Sequence, residues 1–163
     1  MDFLVYALLT GIGATAVTDI WAIARKQFFG VPKPDYGLVG RWIAYMPRGT
    51  FRHNPIAASP PVQGEGLIGW TAHYLIGTAF AAGLLAIWGL EWIRHPSIGP
   101  ALIVGICTVA APYFLLQPGM GAGIAASRTP RPAAARLHSL VMHTIFGLGL
   151  YLTGRAIGLL QIY

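Results

Sequence analysis

Two histidines, His73 and His143, lie inside long apolar runs, where an imidazole must find a partner or a ligand. Their contexts are His73-Tyr74-Leu75-Ile76-Gly77 and His143-Thr144-Ile145-Phe146-Gly147. In each, a glycine four residues on clears space beside the ring on the same helix face. Two carboxylates accompany them: Asp19 near the end of the first apolar run, and Glu65 at the start of the second. Glu65, Gly69 and His73 step by four residues and share a face, as do Thr15 and Asp19. Histidine is the commonest metal ligand and a standard axial ligand of haem. The spacing therefore predicts a cofactor-binding or redox module in which His73 and His143 hold one b-type haem or a single transition metal ion. Asp19 and Glu65 are the nearest further metal ligands, and Arg41, Arg48 and Arg52 would meet haem propionates.

Other chemistries use the same residues. Asp19, His73 and His143 could form the protonatable site of a small proton-coupled transporter, working as a homodimer because four helices make a thin pathway. An accessory subunit of a larger membrane complex would use the polar groups as structural glue. Plainer roles exist for each residue too. Glu65 is a first-turn acid favoured by the helix dipole, Asp19 is within reach of Arg25 or Lys26, and one membrane histidine often bonds a neighbouring carbonyl. His138 lies about 140° around the helix from His143, and His53 and His95 belong to loops. No Gly-rich phosphate loop, paired-cysteine metal motif, His-Glu-x-x-His or nucleophile elbow occurs, and two carboxylates are few for two-metal hydrolysis. Whether the chain is an enzyme is open, with no hydrolytic or nucleotide-dependent machinery visible.

The elements that must position these groups are membrane helices. Hydrophobic residues make up 55% of the 163, and charged ones only 10%, too few to cover a soluble domain. Four runs reach the roughly 20 residues that cross a hydrocarbon core: 3–24, 66–88, 98–116 and 137–160. Lipid leaves the backbone no partner but itself, so the expected fold class is all-α, an integral membrane four-helix bundle forming a single domain. The first run resembles a signal peptide only superficially, since Asp2 precedes it and Arg25 and Lys26 follow it. Pro112 should kink or end the third helix. Gly69, Gly77 and Gly83, and Gly154-x-x-x-Gly158, would permit close helix approach. Cys107 is the single cysteine, so no internal disulfide forms.

Nine of the eleven Lys and Arg fall in two connections: Arg25, Lys26, Lys33, Arg41, Arg48 and Arg52 in the first, Arg128, Arg131 and Arg136 in the third. Both should face the cytoplasm and its anionic lipid, placing both termini in the periplasm. Basic residues set between apolar runs argue for a lipid partner and against nucleic acid. In the cytoplasmic half of the membrane, His73 then lies about 12 Å below the boundary, at about 1.5 Å per residue, and His143 at matching depth.

An internal duplication organises the chain. Ala7-Leu8-Leu9-Thr10-Gly11-Ile12 matches Ala101-Leu102-Ile103-Val104-Gly105-Ile106, and Ile56-Ala57-Ala58-Ser59 matches Ile124-Ala125-Ala126-Ser127. The histidine segments give a third match in the same order. The expected repeats are helix–basic loop–helix units over about 3–90 and 97–160, running parallel because each contains two crossings. The first carries an insertion of roughly 26 residues within 26–52, expected to contain a short interfacial helix around Leu38–Met46.

With Gly11-x-x-Ala14-Thr15-x-x-x-Asp19, Gly40-Arg41-Trp42, Gly69-Trp70-x-x-His73-Tyr74, Gln117-Pro118-Gly119-x-Gly121 and His143-x-x-x-Gly147, nearly the whole chain resembles a bacterial family of small integral membrane proteins catalogued as a domain of unknown function. The resemblance implies four helices in a bacterial inner membrane. It implies no site residues.

Overall fold

The apolar runs become helices, as the hydrogen-bonding demand of a water-free environment requires. The computed structural model describes residues 3–160. It is all-helical, with no strand among the described residues. Helix α1 spans Phe3–Phe29, α2 Tyr36–Tyr45, α3 Glu65–Trp88, α4 Glu91–Arg94, α5 Ile98–Cys107, α6 Gln117–Gly119 and α7 Pro132–Leu159. Four stretches are long and apolar enough to cross a membrane: α1, α3, the continuous run Ile98–Gly119, and α7.

Helix boundaries differ from the apolar runs where local chemistry overrides hydropathy. Helix α1 continues five residues beyond Ala24 because nothing breaks it before Gly30, whose φ of +65° and bond to the Lys26 carbonyl close the helix. Arg25 is buried on this extension and donates to the Pro32 carbonyl at 3.3 Å. Helix α7 begins at Pro132 rather than Leu137, since proline suits a first turn and Ala133, Ala134 and Ala135 favour helix. Pro112 opens a π-helical turn, Pro112–Leu116, which reseats the chain before α6. The segment between α1 and α3 supplies α2, capped by the Asp35 side chain accepting from the Gly37 N–H at 2.9 Å.

The chain divides into two compact units. One takes the chain up to Lys33, Tyr74–Thr108, and the chain from Val141 on. Its core includes Tyr6, Leu84, Leu85, Trp92, Ile93, Phe146 and Leu150. Helices meet closely here where side chains are smallest. A Cβ on Gly11 would fall on the Thr78 backbone, one on Gly77 on the Thr15 hydroxyl, and one on Gly105 on the Gly147 backbone. Gly154 faces the Trp92 ring, whereas Gly83 has nothing within 4 Å and assists no packing.

The other unit takes Pro34–His73 and Val109–Leu140. Its irregular backbone is joined by hydrogen bonds from His53 N–H to the Gly119 carbonyl (2.9 Å) and from Ile56 N–H to the Met120 carbonyl (3.0 Å). Tyr113 donates to the Arg136 carbonyl at 2.7 Å and Gln117 to Ser139 at 3.2 Å, tying the π turn and α6 to the start of α7.

Candidate functional site

The face marked by Glu65, Gly69 and His73 on α3 is covered by α2, and each residue meets it differently. Arg41 closes on Glu65 through two parallel hydrogen bonds of 2.8 Å, Nε to Oε2 and Nη2 to Oε1. Its remaining Nη1 donates to the Ser59 carbonyl at 2.9 Å, and the Val62 N–H donates to Glu65 Oε2 at 2.9 Å. Both charges are thus fully engaged, and the Glu65 hydrogen bond holds the Arg41 guanidinium protonated beyond its already high range. One helical turn on, a Cβ on Gly69 would fall on the Tyr36 carbonyl, and one on Gly40 on the Glu65 carbonyl. Two turns on, the His73 ring stacks on Tyr36 with centroids 4.0 Å apart and planes 23° apart, while Trp70 meets both rings edge-on.

Gly40-Arg41-Trp42 is therefore a joint in which each residue has its own task. Gly40 admits α3, Arg41 binds its first residue, and Trp42 turns the other way. The Trp42 Nε1–H donates to the Phe51 carbonyl at 2.9 Å, and its ring lies against Gly119, where any Cβ would collide with it. Arg48 lies over the Tyr45 ring at 5.2 Å. Arg52 is exposed in the loop that follows.

In the other unit, His143 and Asp19 each hold a hydroxyl partner. The Thr108 hydroxyl donates to the Gly105 carbonyl at 2.6 Å, so its oxygen is left to accept. His143 Nδ1 lies 2.9 Å from that oxygen. The network assigns the proton to Nδ1, leaving Nε2 with its lone pair. Asp19 Oδ2 accepts from the Tyr74 hydroxyl at 3.0 Å, joining α1 to α3.

The sequence-derived residues are therefore distributed among distinct arrangements: Glu65 with Arg41, His73 with Tyr36 and Trp70, Asp19 with Tyr74, and His143 with Thr108. No group of three or more His, Cys, Asp or Glu side chains is placed to hold a metal ion among the described residues. Sequence reasoning missed Tyr36 and Thr108. Neither carries a spacing signal, since Thr108 lies 35 residues from His143 and Tyr36 sits in the connection between α1 and α3.

Four helices fit to cross a membrane, with carboxylate and imidazole groups held by hydroxyls inside them, define a multi-span membrane protein. Residues 8–157 match the family described as protein of unknown function (DUF2938), and the chain belongs to that family. No curated protein and no solved structure matches it.

Proposed function

We propose that this is a bacterial inner-membrane carrier that couples the passage of a small solute to protons, with Asp19 and His143 as its proton-handling groups. The observation that carries this reading is that both titratable groups lie within candidate spans of one compact unit, each held by a hydroxyl: Asp19 by Tyr74, His143 by Thr108. A hydroxyl partner holds an ionisable group in a fixed orientation through a hydrogen bond. His143 Nε2 keeps its lone pair and can accept a proton. Because four helices make a thin pathway, the working form is a homodimer in the bilayer. Large apolar side chains such as Leu4, Leu67 and Leu75 are exposed, as contact with lipid or a second copy requires.

The same proposal includes two parallel repeats, cytoplasmic basic loops contacting anionic lipid, and periplasmic termini. Two observations support the repeats. The equivalent glycines Gly11 and Gly105 each sit at a close crossing with the helix bearing Gly77 or Gly147. The segments Ile56–Ala58 and Ile124–Ala126, alike in sequence, each form a short turn, although Ala125 and Ala126 hold positive φ in the second. The charge distribution supports the orientation.

The test is proton flux in liposomes reporting internal pH with a trapped dye. Asp19→Asn should abolish flux while the folded protein is recovered in normal yield. Loss of folded protein would instead make the Asp19–Tyr74 pair structural.

The tautomer of His143 also favours a second reading, in which Nε2 ligates a haem or a single metal ion. Visible absorbance of the purified protein separates the two. A Soret band that disappears in His143→Ala supports the cofactor reading, and a colourless protein with bound-metal content below one per chain leaves the carrier.

A further inference from the structure

We propose that Arg52, His53, Ser127 and Arg128 form a binding site for a phosphate monoester, in a cavity distinct from the membrane-embedded groups above. The cavity measures about 280 Å³, just under the roughly 300 Å³ at which small-molecule sites begin. That suits a phosphate with a short substituent. Two arginines, an imidazole and a hydroxyl line it, with Pro118 and Ile124 as apolar wall, and no carboxylate is among the lining residues. Neither arginine is paired with a carboxylate among the described residues. They contrast with Arg41, whose charge is consumed by Glu65.

The geometry of the imidazole points the same way. His53 Nδ1 lies 2.8 Å from Ser59 Oγ, which fixes the ring, while its Nε2 is buried and has no hydrogen-bond partner. A buried ring nitrogen without a partner is costly unless something fills the need. A phosphate oxygen brought against it would satisfy it, with the Ser59 hydroxyl donating to Nδ1 and Nε2–H donating to the ligand.

The backbone around the cavity is also built for close approach. Ala125 and Ala126 both hold positive φ, 46° and 58°, an uncommon conformation for alanine, and two in succession are costly unless the surroundings enforce them. The bonds from Ser127 N–H to the Ile124 carbonyl (3.0 Å) and from Arg128 N–H to the Ala122 carbonyl (2.8 Å) enforce them. This conformation brings Ser127 and Arg128 to the cavity wall. Gly121, at φ +94° against the His53 carbonyl, locks the opposing loop alongside. The cavity thus unites two loops of like sequence, Ile56-Ala57-Ala58-Ser59, whose serine orients His53, and Ile124-Ala125-Ala126-Ser127, whose serine lines the wall.

The phosphate comes either from a soluble ester or from a lipid headgroup, and one experiment distinguishes them. The full chain in phosphatidylcholine nanodiscs is titrated calorimetrically with glycerol 3-phosphate, and separately assayed for thermal stabilisation in nanodiscs containing phosphatidic acid. Saturable binding in the first arm identifies a soluble ester, and stabilisation confined to the second identifies a lipid. In whichever arm responds, Arg52→Gln and Arg128→Gln should each weaken the effect about tenfold or more, as loss of a charge-assisted hydrogen bond does. Arg131→Gln, an exposed neighbour that does not line the cavity, should leave it unchanged. Both arginines are exposed, so the unliganded melting temperature of each variant verifies its fold. No response in either arm, or equal weakening in Arg131→Gln, would overturn the site.

Discussion

Arg41 and Glu65, 24 residues apart, form a two-pronged ion pair that fastens the short helix α2 to the first turn of α3. The Ser59 carbonyl and Val62 N–H complete it, so the intervening loop is gathered into the same knot. Glu65 was a candidate metal ligand by position, yet both its oxygens already accept hydrogen bonds.

Arg41→Ala should lower the melting temperature in detergent by about 5 °C or more, because it strands the Glu65 carboxylate and the Ser59 carbonyl together. Arg41→Lys should recover only part of this, since an ammonium cannot match both oxygens. Circular dichroism on heating measures both. Equal melting of Arg41→Ala and wild type would show that the pair contributes nothing.

Gly40→Ala should destabilise by about 3 kcal/mol, because the new methyl meets the Glu65 backbone, which cannot give way. Gly83→Ala is the control, with open space at its Cβ and a gain in helix propensity of up to about 1 kcal/mol. Denaturant titration of the two variants should move in opposite directions.

Thr108→Val should free the His143 tautomer, since valine keeps the shape and removes the acceptor for Nδ1–H. Nitrogen-15 NMR of labelled histidine should show one protonated Nδ1 in wild type and a mixture of tautomers in the variant. Thr108→Ser should retain the wild-type spectrum. A mixture in wild type itself would sink the assignment.

Reporter fusions test orientation. A fusion at Tyr163 should report periplasm and one within Pro60–Gly64 cytoplasm, following the weight of Lys and Arg in the first and third connections. A cytoplasmic reading at Tyr163 would reverse the orientation.

Much of this protein was legible in one dimension. Crossing a bilayer demands length and apolarity, both properties of a contiguous segment, so the four spans could be read within a few residues. The errors came at the ends, where Gly30 and Pro132 act through backbone geometry rather than hydropathy. The short helix α2 and the shared face of Glu65, Gly69 and His73 were also accessible, because helical periodicity is local. What covers that face was not. Tyr36 against His73, Arg41 against Glu65, Thr108 against His143 and Tyr74 against Asp19 join residues 24 to 55 positions apart. Such pairings depend on how helices cross, and crossings are set by where glycines let backbones touch. Composition and period named the groups able to do chemistry, and tertiary packing alone decided which of them are neutralised, which are stacked and which keep a free nitrogen.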